Sequence, residues 1–75
     1  MKITYDKYAN AMYISLGKKG KYSHTREVTD DFLIDFATTG RVTGIEILDA
    51  RENVSDLNPR KIDFKVYDKR HASTL

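Results

Sequence analysis

Apolar and polar residues alternate with a period of two along most of this chain, the pattern of half-buried β-strands rather than of helices. Ile3 and Tyr5 alternate with Lys2 and Thr4, and Met12, Ile14 and Leu16 alternate with Tyr13 and Ser15. Pairing Tyr5 with Met12 sets Ile3 opposite Ile14 and puts both apolar sets on one face, with Asp6 to Ala11 as the connecting loop. Gly17 to Lys21 reads as the next turn. Residues 22–28 read as an edge strand with mixed faces, because His24 and Arg26 stand between Tyr22 and Val28. Thr29-Asp30-Asp31 is a tight polar turn.

The clearest unit follows. Phe32, Ile34 and Phe36 alternate with Leu33, Asp35 and Ala37, and after Thr38-Thr39-Gly40-Arg41 the chain returns from Val42 to Leu48. Pairing Ala37 with Val42 sets Ile34 opposite Ile45 and Phe32 opposite Ile47. One face then holds Phe32, Ile34, Phe36, Thr43, Ile45 and Ile47, and is the predicted core. A slip of one residue would mix the faces. On that reading Ile45→Ala costs about 2–5 kcal/mol. The opposite face holds Leu33, Asp35, Ala37, Val42, Gly44, Glu46 and Leu48; it is half apolar and calls for a cover.

Asp49 and Glu52 have the spacing of a capping box, and Ala50, Val54 and Leu57 recur at helical spacing up to the stop at Asn58-Pro59. Ile62, Phe64 and Val66 then alternate with Asp63, Lys65 and Tyr67 as one more strand, before a frayed tail. The expected fold is α+β and mainly β, an antiparallel meander of five to six strands with one short helix near residues 50–57. It forms a single domain over residues 1–75.

Composition narrows the function classes. The chain has 75 residues and no cysteine, so neither a disulfide nor a thiolate metal site is available. A chain near this length buries only about 60% of its unfolded surface, which makes self-association an expected source of stability. A net charge of +2, from 13 basic and 11 acidic residues, is too balanced to imply nucleic acid by itself. The N-terminal residues turn polar too early for a secretory leader, and no apolar run is long enough for a membrane helix. A soluble, cytoplasmic protein without membrane contact is expected.

No nucleophile motif, phosphate-binding loop or histidine pair with ligand spacing occurs. No catalytic residue, metal or cofactor is therefore assigned. Three binding readings remain. Tyr13, Leu33, Asp35, Val42, Gly44, Glu46 and Leu48 form a second sheet face suited to a homodimer or a small protein partner. Lys18, Lys19 and Lys21 beside Tyr22 are a basic turn of the kind that contacts single-stranded nucleic acid, although such turns more commonly serve solubility. Asp35 and Glu46, diagonal across the hairpin with Gly44 leaving room, together with Asp49, are a carboxylate set for a cation or ligand. The simpler account of those acids is a helix cap and two solvated side chains.

The first fifty-odd residues resemble a small prokaryotic and phage family, domain of unknown function 2283. The resemblance rests on Met1 to Asp6, Ala9 to Ile14 and Thr25 to Val28, and is strongest from Ile34 through Gly40-Arg41-Val42 to Ala50. The family typically has tyrosine where Phe36 stands and acids where Thr38 and Thr39 stand. Residues from Asn53 onward are not covered. The resemblance implies a compact antiparallel sheet with a short helix and no established activity. Members are often encoded beside small suspected toxins, which implies an antitoxin-like partner role.

Overall fold

The computed structural model describes residues 1–17 and 20–68. It contains β1 (Lys2–Asp6), β2 (Ala11–Ser15), β3 (Tyr22–Thr29), β4 (Phe32–Ala37) and β5 (Val42–Ile47), then a four-residue helix α1 (Ala50–Asn53) and a 3-10 turn at Pro59–Lys61. The five strands form one antiparallel sheet in the order β1-β2-β5-β4-β3. The β3-β4-β5 meander thus folds back so that β5 lies against β2. This places the apolar-rich β4 and β5 inside the sheet. The charged β3, exposed at all eight positions, lies at one edge, where charge opposes edge-to-edge association.

The apolar pattern sets the register as expected. Ile3 faces Ile14 and Tyr5 faces Met12; Ile34 faces Ile45 and Phe32 faces Ile47. The β2–β5 pairing joins these into rows, with Met12 opposite Ile47 and Ile14 opposite Ile45. One correction falls near the β4–β5 turn. A bulge after Asp35–Gly44 puts Val42 opposite Phe36 rather than Ala37. The turn closes instead through the Ala37 amide donating to the Arg41 carbonyl at 2.8 Å, with Gly40 at φ +89°, a backbone region that glycine enters without steric cost. On the far side, β3 carries two register shifts, between Tyr22 and His24 and between Glu27 and Thr29. They explain its mixed faces: His24 stacks on Phe36 at 5.0 Å between centroids, while Thr25 lies opposite Asp35.

The core is small. Met12, Ile47 and Ala50 form its buried centre, with Tyr5, Ile14, Phe32, Ile45, Val54 and Leu57 packed around them. Ala50, Val54 and Leu57 therefore converge as their spacing implies, but the helix does not reach residue 57. It ends at Asn53, since Val54 is extended at φ −123° and Asp56 is left-handed at φ 52°. Asn53, Val54, Ser55 and Asp56 are all weak helix formers, and so short a helix has little cooperativity to resist them.

The capping box is also corrected. Asp49 adopts φ 50°, ψ 48° and makes no side-chain cap. Asn10, from the β1–β2 turn, caps the helix in its place. Its backbone carbonyl accepts from the Ala50 amide at 2.9 Å and its Oδ1 from the Arg51 amide at 3.0 Å. The same Oδ1 accepts from the Tyr5 hydroxyl at 2.9 Å, and Nδ2 donates to Asp49 Oδ1 at 3.2 Å. Asn10 is itself left-handed, at φ 51°, a conformation asparagine tolerates better than most residues. Asn10→Ala is expected to lose about 0.5–2 kcal/mol from the cap and a further 1–2 kcal/mol or so from backbone strain. Asn10→Gly should lose only the first part. Urea unfolding of both variants checks this; Asn10→Gly as the worse of the two would show that the backbone carries no strain.

The expected sixth strand does not form. Residues 62–68 belong to no strand or helix, and Ile62, Phe64, Val66 and Tyr67 are exposed.

Candidate functional site

The face of the sheet opposite the core carries a chain of polar contacts that crosses four strands. Alternation sends Tyr13 of β2 to this face, because Met12 and Ile14 on either side of it belong to the core. It likewise sends Asp35 of β4 there, between Ile34 and Phe36. Gly44 of β5 lies between them, paired with Asp35. The Tyr13 ring passes over Gly44: a Cβ at Gly44 would collide with the Tyr13 hydroxyl and Cζ. The glycine thus admits an aromatic ring from the neighbouring strand, not a ligand.

The Tyr13 hydroxyl donates to Asp35 Oδ2 at 2.8 Å, and the Thr25 hydroxyl donates to Asp35 Oδ1 at 2.6 Å. Because the Thr25 proton is committed to Asp35, the Tyr22 hydroxyl, 2.8 Å from Thr25 Oγ1, is the donor in that pair. The network therefore runs Tyr22 to Thr25 to Asp35, with Tyr13 arriving from the other side. Each carboxylate oxygen already accepts a hydroxyl, so both oxygens of Asp35 are held in place by side chains of the neighbouring strands. The Tyr13 hydroxyl is pushed above the ordinary tyrosine value by its hydrogen bond to Asp35, then by partial burial and by the negative charges of Asp35 and Glu46. Its proton is held, so the group is a poor base near neutrality. The arrangement suits a rivet that fixes this face rather than an acid–base pair.

That shift has a consequence at high pH. A tyrosine whose folded pKa lies above the unfolded value of about 10 contributes stability that is complete below that value. The contribution is lost as pH rises from there through the folded pKa, because the folded state holds the proton longer. Wild-type protein is expected to lose stability more steeply than Tyr13→Phe as pH rises above about 10. Thermal melts across that range check it, and parallel curves for the two proteins would refute it.

Of the residues expected to form a binding face, Tyr13, Asp35 and Gly44 are brought into direct contact. Leu33 and Glu46 pair beside them, both half-buried. Val42 is taken out of the alternation by the bulge. Leu48 lies past the end of β5, where its amide donates to the Asp31 carbonyl at 2.7 Å. Of the basic turn, Lys18 and Lys19 lie outside the described residues. Lys21 is exposed, and Tyr22 belongs to the Asp35 network. Asp49 is turned towards Asn10, away from Asp35 and Glu46. Among the described residues no group of three acids or histidines is placed to hold a metal ion.

Sequence reasoning missed Thr25 and Asn10. Thr25 sits opposite Asp35 only because the β3 register is broken on either side of it, which a simple period does not show. Asn10 carried one usable signal: asparagine in a short hairpin loop is a frequent left-handed residue.

On the core face a groove of about 340 Å³ opens between β1 and the loop that follows α1, walled by Ile3, Tyr5, Val54, Leu57, Pro59 and Ile62. Among the described residues no helix is long and apolar enough to cross a membrane.

No curated protein and no solved structure matches the chain significantly. A family model described as protein of unknown function (DUF2283) matches residues 2–51. That span holds all five strands, the Asn10 cap and the whole Tyr13–Asp35–Thr25 network, and ends in the first turn of α1. The chain therefore belongs to the DUF2283 family, and the sheet with its cross-strand network is the part of the molecule that lies within the family region.

Proposed function

We propose that this protein is a non-enzymatic interaction domain whose sheet is completed by another protein, first of all by a second copy of itself. The observation that carries this reading is the openness of the core. Among the described residues no large side chain is fully buried, and the buried apolar set is limited to Met12, Ala37, Ile47 and Ala50. One short helix and the loop after it cover the row Tyr5–Met12–Ile47–Phe32. Among the described residues the neighbouring row is less covered: Ile14, Ile45 and Ile34 are only half-buried and Ile3 is exposed. A single-layer sheet ordinarily buries its apolar face against another element, and apolar surface left open on a small domain marks an interaction site.

The non-enzymatic part of the reading is supported by the Asp35 carboxylate, each oxygen of which is engaged by a hydroxyl, and by the held Tyr13 proton. The finer form, an antitoxin-like role towards a small partner protein, draws on the family resemblance. Sedimentation velocity of the full chain over a wide concentration range tests the reading. A dimer that persists on dilution, or a stoichiometric complex with a co-purifying protein, is expected. A monomer at every concentration that also purifies alone would overturn it.

The nucleic-acid reading has narrower support, the exposure of Lys21 and Tyr22 at the start of β3. A gel shift that weakens with salt and is lost in Tyr22→Ala would favour it instead.

A further inference from the structure

The chain carries both halves of a strand-addition contact. The first half is the segment after the 3-10 turn. Ile62, Phe64 and Val66 alternate with Asp63, Lys65 and Tyr67, a strand pattern rich in aromatic and β-branched residues. Ile62 is extended at φ −85°, ψ 117°. Yet residues 62–67 join no strand, and Phe64 and Val66 are 81% and 84% exposed. Four large apolar side chains within six residues thus face water.

The second half is a sheet edge. The sheet ends at β1 on one side and β3 on the other. The β3 edge is defended: two register shifts interrupt it, and it carries His24, Arg26 and Glu27. Bulges and charge are standard protection against added strands. The β1 edge has no such interruption. It pairs with β2 at five consecutive positions without a shift, and among the described residues no strand pairs with its outer side. Ile3 and Tyr5, the core-face residues of β1, also wall the apolar groove.

We propose that residues Ile62–Tyr67 of one copy add as a sixth strand to the β1 edge of a second copy, reciprocally, in a two-fold dimer. This rests on the reading of the protein as a self-associating domain and assigns the contact that makes it so. Charge selects the register. The apolar residues of the arm must share the face of Ile3 and Tyr5, which leaves few alignments. The antiparallel alignments that seat two arm residues beside both Ile3 and Tyr5 place either Lys65 beside Lys2 or Asp63 beside Asp6. The parallel alignment with Ile62 beside Ile3 places Lys61 beside Lys2. The parallel alignment with Phe64 beside Ile3 places Asp63 beside Lys2, Lys65 beside Thr4 and Val66 beside Tyr5, with no like charges adjacent. Like charges on neighbouring strands are destabilising and opposite ones favourable. A second copy is the occupant because, among the described residues, the arm joins no strand of its own chain: Ile62 reaches the groove, and residues 63–67 are exposed and belong to no strand. Reciprocal exchange buries both arms in one closed assembly.

The absence of cysteine makes the contact directly testable. Thr4→Cys and Lys65→Cys single variants of the full chain are mixed and oxidised, and wild type is sized by sedimentation velocity in parallel. The proposal expects a wild-type dimer and a disulfide-linked Thr4→Cys/Lys65→Cys pair as the main mixed product. It also expects that Phe64→Asp abolishes both the dimer and the cross-link while the far-UV circular dichroism of the sheet is kept. Phe64 is exposed in the single chain, so its loss should not unfold it. A stable wild-type dimer without the mixed cross-link overturns the arm exchange and leaves the self-association reading standing. A monomeric wild type whose Thr4→Cys/Lys65→Cys double variant closes within one chain overturns both.

Discussion

Ile47→Ala is expected to be the most damaging single substitution in this protein, at about 2–5 kcal/mol. Ile47 is 8% exposed and stands at the centre of the core, beside Met12 and under Ala50. Stability of about 0.05–0.15 kcal/mol per residue gives a chain of this length roughly 4–11 kcal/mol in all, so the loss is a large fraction of the whole. Ile45→Ala should cost clearly less than its alternation with Ile47 suggests, because Ile45 is only half-buried and packs at the margin of the core, in the less covered row. Chemical denaturation of both variants at low protein concentration, where self-association is suppressed, measures the difference. Equal losses would mean that the two rows are equally covered and that the open row does not exist. Repeating the comparison at high concentration adds a second readout. If a partner copy covers the open row, the cost of Ile45→Ala rises with concentration, since binding to the folded state stabilises it by mass action.

Gly44→Ala is the second large effect, at about 1–3 kcal/mol. The added methyl group meets the Tyr13 ring, so the ring must swing off the strand and release Asp35. The cost therefore resides in the pair, and the test is a double-mutant cycle. In a Tyr13→Ala background the obstacle is gone, and Gly44→Ala should be neutral or slightly stabilising, because alanine loses less conformational freedom than glycine on entering a strand. The coupling between the two sites should fall at about 0.5–3 kcal/mol. Additive losses would mean that Gly44 is needed for its backbone conformation instead. Gly44 shows no positive φ among the strained residues, which favours the steric account.

These two substitutions mark how far the sequence could be read. The register of β1 with β2 and of β4 with β5 is legible, since period-two alternation excludes every one-residue slip and the short turns select among the pairings that remain. The opposition of Asp35 and Gly44 followed from it. That Gly44 makes room for Tyr13 did not follow, because Tyr13 comes from a strand whose neighbour in the sheet was not specified locally. The spacing of Ala50, Val54 and Leu57 gave the buried residues correctly and the helix length wrongly. Burial and helicity share that spacing, and a loop can satisfy the first without the second. The pattern of Ile62, Phe64 and Val66 is that of a strand, but a strand needs an edge to bind, and this segment pairs with neither edge of its own sheet.

Alternation and turn residues act over a few positions, and they suffice to set the strands, their faces and the two hairpins. Which strands are central, which residue caps the helix and what fills the space above Gly44 are settled by the folded sheet. Each of those depends on partners 22 to 41 positions apart along the chain, as with Tyr13 and Asp35 or Asn10 and Arg51. Contacts at such separations are selected by the closing of the whole sheet, with β5 drawn against β2 to join the two apolar rows. Local pattern carries no record of that choice, since hydrophobic burial is non-directional and rewards any closure that covers the same apolar area.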